Sequence, residues 1–192
     1  MIPNDVACVV LASGLSQRFG EANKLEVDLC GRPVLVHALD TVKAVGFGEI
    51  FIVSQGESVV NCRLVKNIRP EKGQGYALRL GLRAAKKSGW ENVCVVLGDM
   101  PLVDVFHLKK IVGKMTLKQS VVSQYERQSM PPVGFHTEAI NMILTENFES
   151  GGREVFDQLD FQTVPLSKEA AQDVDTREDL ARVSAIMKRS QK

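Results

Sequence analysis

The sequence predicts an α/β fold built on one mostly parallel sheet, and three observations carry that prediction. Apolar runs at Val6–Leu11, Glu49–Val53, Asn92–Leu97 and Ser120–Gln124 alternate with segments of helical period. The first run is apolar almost without interruption, as a central parallel strand covered on both faces must be. With 192 residues, the chain is long enough to bury a sizeable core and is expected to form a single domain over residues 1–192.

After the first strand the chain turns sharply into S-G-L-S-Q-R-F-G-E-A-N-K, from Ser13 to Lys24. Gly14 and Gly20 are expected to supply backbone angles closed to other residues. Ser13 and Ser16 offer hydroxyls, and the intervening amides can turn inward as an anion-binding nest. Arg18 adds a fork of donors and Lys24 a compact charge, so the loop suits a nucleoside triphosphate; the plainer alternative is a glycine-rich turn with solvated cations. A Walker loop is excluded by spacing, since five residues separate Gly14 from Gly20 and Glu21 stands where lysine belongs. The dinucleotide fingerprint is absent too, because Leu15, Ser16 and Gln17 follow Gly14, which disfavours a nicotinamide oxidoreductase.

Pro33 can open a helix whose apolar positions Leu35, Ala38, Leu39, Val42 and Val45 have helical spacing and which Gly46 and Gly48 end. A second helix is expected after Gly75, with Ala77, Leu80, Gly81 and Ala84 on its inner face and Arg79, Arg83, Lys86 and Lys87 solvated. Asp99 follows the apolar strand that ends at Leu97. Gly98 is read as letting a ligand approach the backbone, and Pro101 as fixing the exit. A carboxylate at such a strand end either binds magnesium, which accepts one or two carboxylates together with phosphates and water, or caps a turn. Thr176 and Asp179 resemble a capping box for a last helix carrying Leu180, Val183 and Met187.

The formal net charge of +1, with both signs intermixed, gives no basic field for nucleic acid or anionic membrane. No apolar stretch approaches the ~18 residues that span a bilayer, and the amino terminus lacks a basic secretory start, so a cytoplasmic protein is expected. Cys8, Cys30, Cys62 and Cys94 form no C-x-x-C pair, and His37, His107 and His136 are scattered; neither set is assigned chemistry.

The segment V-V-L-A-S-G-L-S-Q-R-F-G with N-K-L resembles the signature of nucleotidyltransferases that join a nucleoside triphosphate to a phosphorylated acceptor. Within them it most resembles the molybdenum cofactor cytidylyltransferase group of the MobA-like family. G-R-P-V-L from Gly31, L-G-D-M-P from Leu97, P-V-G-F from Pro132, G-G-R from Gly151 and D-V-D-T-R-E-D-L from Asp173 extend the likeness in order along the chain. Ser13, where Ala or Gly is usual, and Glu149, where Asp is frequent, depart from it.

The resemblance implies a three-layer α/β/α Rossmann-like fold of the nucleotide-diphospho-sugar transferase type. It also implies attack of an acceptor phosphate on the α-phosphorus of CTP with loss of pyrophosphate, the acceptor being the molybdopterin cofactor. Guanylyl or sugar-phosphate transfer and a non-catalytic nucleotide-binding regulator are the alternatives. It assigns Arg18, Lys24 and Asp99 to catalysis, and Asp99 with Asp175 to magnesium, although carboxylates at Asp173, Asp175, Glu178 and Asp179 also suit a helix start. Leu11, Ala12, Ser13, Gly14, Ser16, Gly73, Gln74 and Gly75 would border the nucleotide, and Arg153 would grip the acceptor phosphate. Tyr76 reads as helix packing or base stacking. Residues 129–156 are expected as an acceptor-side flap, and a molybdoenzyme or maturation factor is the candidate protein partner.

Overall fold

The computed structural model describes residues 1–16, 18–20, 23–56, 61–145 and 161–190. Among them β1 (Ala7–Ala12), β4 (Glu49–Ser54), β5 (Arg63–Lys66), β6 (Val93–Leu97), β7 (Ser120–Tyr125), β8 (Gln128–Phe135) and β9 (Phe161–Pro165) form one seven-stranded sheet in the order β5-β4-β1-β6-β8-β7-β9. Only β8 runs against the others. β2 (Asp28–Leu29) and β3 (Arg32–Pro33) make a small separate hairpin.

Helices cover both faces. α1 (Val34–Val45) and α3 (Val105–Lys114) lie on one side, and α2 (Gly73–Lys87) and α4 (Thr137–Thr145) on the other. The period of two in β1 divides the core accordingly. Cys8, Val10 and Ala12 join Leu39, Val42, Leu108 and Ile111, while Ala7, Val9 and Leu11 join Leu78, Leu82, Ile140 and Ile143. Every β1 residue is buried, which is why its sequence shows no polar alternation.

α1 starts directly after Pro33 and ends at Gly46, whose φ of 84° is the left-handed C-cap conformation. α2 is rotated from its expected face. Gly75, Ala77, Leu78, Gly81, Leu82 and Ala85 are buried, whereas Leu80 and Ala84 lie half-buried at the margin. Gly81 sets that rotation, because a Cβ there would fall 2.4 Å from Val9 Cγ1; the helix axis therefore sits close against β1.

Residues 129–145, expected within a flap, are instead β8 and α4, built into the sheet and onto its face; residues 146–156 lie outside the described set. Pro131 and Pro132 made this strand hard to see, since neither has an N–H for the ladder. The register shifts between Val122 and Ser123 opposite them, and the Ser123 hydroxyl donates to the Pro132 carbonyl at 2.7 Å.

α5 (Arg177–Ser190) begins with the expected box. The Asp179 N–H donates to Thr176 Oγ1 at 3.1 Å and the Thr176 N–H to Asp179 Oδ2 at 2.9 Å. The helix closes a small third cluster of Phe19, Leu29, Val34, Val174 and Val183.

The three histidines hold structure: His37 Nε2 meets the Leu29 carbonyl, His107 Nε2 the Ser123 hydroxyl, and His136 Nδ1 the Ser120 hydroxyl. Cys8 and Cys94 face each other across β1 and β6, and burial pushes the Cys94 thiol up to about 12.

Candidate active site

β1 and β6 end side by side, with Leu11 opposite Leu97, at the point where the strand order reverses; the Gly98 N–H donates to the Leu11 carbonyl at 2.9 Å. Sheets of this kind leave a crevice beyond the carboxyl ends of such strands, and a cleft of about 680 Å³ opens there. The loop after β1 forms one wall, the segment from Pro70 to Ala77 a second, and Asp99, Asp173 and Asp175 the floor.

The left-handed backbone angles of the first loop fall at Ser16 (φ 51°) and Gly20 (φ 95°). Gly14, expected to supply such an angle, stays outside that region. Its contribution is space, since a Cβ there would meet nothing within 4 Å. Ser16 closes the loop, accepting from the Phe19 N–H at its carbonyl (2.8 Å) and from the Lys24 N–H at its hydroxyl (3.2 Å). Gly98 also differs from its expected role. A Cβ there would lie 2.8 Å from Leu35 Cδ1 and 3.3 Å from the Leu11 carbonyl, so the glycine serves packing under the site.

Lys24 is the centre of the floor. Its Nζ donates to Asp99 Oδ2 at 2.5 Å and to Asp175 Oδ1 at 2.6 Å, and Arg18 binds the other oxygen of Asp175. Burial by itself would lower the Lys24 pKa, but the Asp99 and Asp175 carboxylates together outweigh it and hold the ammonium above its ordinary value. Arg18 is largely exposed. Asp175 could have served the start of α5; instead Asp179 takes that task and leaves Asp175 to the cleft. The Val174 N–H donates to the Asp99 carbonyl at 2.9 Å, tying the two acidic segments together.

Asp99 Oδ1 is buried and has no hydrogen-bond partner among the described residues. A buried carboxylate oxygen without a donor is costly unless a cation completes it. Among the described residues no group of three or more His, Cys, Asp or Glu side chains is arranged to hold a metal. Two carboxylates lining one cleft, one of them with a buried oxygen in want of a partner, suit a hard ion such as magnesium, which takes one or two carboxylates together with phosphates and water. Asp173 lines the same floor; burial pushes its carboxyl up, and Asp175 and Asp99 add to the shift.

The structure brings Leu11, Ala12, Ser13, Gly14, Ser16, Arg18, Lys24, Gly73, Gln74, Asp99 and Asp175 around this one cleft. Gly75 is buried in α2 and does not line it, because the helix begins at Gly73 and turns residue 75 inward. Tyr76 sits beneath the Lys72 ammonium, 5.3 Å from its ring centre. Arg153 lies outside the described residues.

Sequence reasoning missed the support of the first wall. Asn67, almost fully buried, donates to Ser13 Oγ at 3.0 Å and accepts from the Arg69 N–H at 3.0 Å, while Gln55 donates to the Ser13 carbonyl at 3.3 Å. Both residues follow strand ends, Gln55 after β4 and Asn67 after β5, which was the available signal.

The MobA-like NTP transferase domain matches residues 8–164. A probable molybdenum cofactor guanylyltransferase of Aquifex aeolicus is 28% identical over 188 residues, covering 93% of this chain and 90% of that protein. The purine catabolism protein PucB of Bacillus subtilis is 26% identical, covering 93% and 96%. In three dimensions a nucleotidyl transferase from Methanothermobacter superposes with a TM-score of 0.84 at 18% identity, covering 96% of this chain and 98% of that one.

Proposed function

The chain belongs to the MobA-like NTP transferase domain family and is a nucleotidyltransferase, and on that premise we propose that it moves a nucleoside monophosphate from a triphosphate to the molybdopterin cofactor with magnesium present. The observation that carries the reading is Lys24 held between Asp99 and Asp175 at the mouth of the β1 loop. This places a cation, two carboxylates and a turn rich in amides within one cleft.

The chemistry asks little of a general base, because an acceptor phosphate is already anionic near neutral pH; alignment and charge neutralisation suffice. Lys24 and Arg18 exchange their carboxylate partners for the outer phosphates of the nucleotide and meet the charge that develops on the leaving pyrophosphate. Asp99 and Asp175, so released, would hold the metal, which would supply charge stabilisation to the transferring phosphoryl group. Ser13–Ser16 line the side of the cleft that we assign to the phosphates, and the wall from Pro70 to Gln74 lines the side that we assign to the base. Arg153 remains the candidate for the acceptor phosphate.

We assign CTP as donor, since backbone groups at Leu11–Gly14 and the Gln74 amide can serve a small ring with both a donor and an acceptor without a charged reader. Guanylyl transfer is the second reading, supported by the name of the Aquifex relative. Incubation with each of four nucleoside triphosphates, magnesium and molybdopterin, with pyrophosphate release and product mass as readouts, tests both. CTP should exceed GTP in kcat/KM by more than tenfold, or about 1.4 kcal/mol. A GTP preference of that size selects guanylyl transfer, and no nucleotidylated product with any triphosphate rejects the molybdopterin assignment.

A further inference from the structure

Of the four carboxylate oxygens of Asp99 and Asp175, Lys24 occupies one on each, and Arg18 the second on Asp175. Asp99 Oδ1 is the one left, buried and without a partner among the described residues. The Asp99 and Asp175 carboxylates are thus each held by a cation, while Asp173 lines the same floor beside them. A free divalent ion approaching Asp99 and Asp175 finds their charge already answered by Lys24 and Arg18, and it must stand next to an ammonium bonded to the same oxygens. The Lys24 side chain is only 9% exposed, so it cannot swing into solvent and yield the place cheaply.

From this we infer that Lys24 determines the form in which the metal is accepted: its ammonium is a built-in substitute for the metal, and the site takes a divalent ion only together with a polyphosphate that draws Lys24 off the carboxylates. This rests on the reading of Asp99 and Asp175 as the metal site. A triphosphate supplies the new partner for Lys24 and for the exposed Arg18, and both carboxylates gain their full charge at the moment the metal arrives. The buried Asp99 Oδ1 gives the incoming ion one oxygen that no described side chain contests. Selection of the metal–nucleotide complex over the bare ion then follows from the pairing of Asp99 and Asp175 with Lys24 and Arg18.

The test is Mn²⁺ binding, followed by electron paramagnetic resonance and calorimetry on the full chain without nucleotide. Wild type and Lys24→Arg should bind weakly, and Lys24→Met at least tenfold more tightly, with Asp99→Asn added to Lys24→Met cancelling the gain. Affinity in Lys24→Met equal to or below wild type overturns the inference. Should Lys24→Met be poorly folded in metal-free buffer, its melting temperature should rise with Mn²⁺ by several degrees more than that of wild type; no such difference also overturns it. The underlying site reading is checked separately, by comparing wild type and Asp99→Asn for Mn²⁺ binding in the presence of CTP. Loss in Asp99→Asn with no gain in Lys24→Met rejects the substitute role alone, whereas no effect of Asp99→Asn rejects the metal site itself.

Discussion

Lys24 and Asp99, 75 residues apart in sequence, meet at 2.5 Å on the floor of the cleft. The contact joins the loop after the first strand to the edge of the central one. No local rule of secondary structure brings them together; the parallel pairing of β1 with β6 does.

Asp99→Asn keeps the side-chain volume and removes the charge. Pyrophosphate release should fall by about a hundredfold or more, the scale of losing a metal's charge stabilisation, while the circular dichroism spectrum stays that of the parent. Turnover within a few fold of the parent, at saturating magnesium, would remove Asp99 from the site.

Asp175 and Asp179 stand four residues apart and should separate cleanly. Asp175→Asn should raise the magnesium needed for half-maximal turnover with a small change in melting temperature. Asp179→Ala should cost about 1 kcal/mol of stability through the lost cap and leave the magnesium requirement unchanged. An exchange of these two phenotypes would assign Asp175 to the helix.

Asn67→Ala should loosen the wall held by Ser13. Loss of a buried amide with two partners costs about 1–3 kcal/mol, read by denaturant unfolding. KM for the triphosphate should rise severalfold with kcat little altered, because no reacting atom is touched. A fall confined to kcat would contradict this positioning role.

His107 gives a pH dependence with a defined sign. The Ser123 hydroxyl spends its proton on the Pro132 carbonyl, so His107 Nε2 must donate to Ser123. Burial lowers its pKa below 6.5, with Asp104 opposing and Lys110 assisting. The unfolded chain then binds the proton more readily. This contribution to stability is present above pH 6.5 and is lost as the pH falls through the lowered folded value. In denaturant unfolding at pH 7 and pH 5, His107→Gln should lose less than wild type between the two; parallel losses would exclude His107 as a source.

Much of this architecture is legible in the sequence where burial is complete. β1 and β6 are continuous apolar runs because helices cover both their faces, and the Thr176–Asp179 box is a local motif that needs no tertiary knowledge. The edge strands β5 and β9 are short and carry polar side chains, and β8 contains two prolines, so none has the pattern of a buried strand. The rotation of α2 was hidden for another reason: the contact of Gly81 with Val9 is a property of two elements and of neither alone. Lys24, Asp99 and Asp175 each stood out by motif. Their mutual neutralisation did not, since it depends on a strand order that no single segment encodes. Asn67 and Gln55 stayed unseen because their signal is a place beyond strand ends, one of which was itself unrecognised.

The small cluster of Phe19, Leu29, Val34, Val174 and Val183 touches two chain neighbours of the floor: Phe19 follows Arg18, and Val174 precedes Asp175. Arg18 and Asp175 thus hang from one shared joint, to which α5 contributes Val183 from well outside the cleft. Slack introduced in that joint travels to both charges together, so this helix steadies the geometry of the floor twice over, through Val183 in the joint and through Asp179, which accepts from the Asp175 N–H at 3.2 Å.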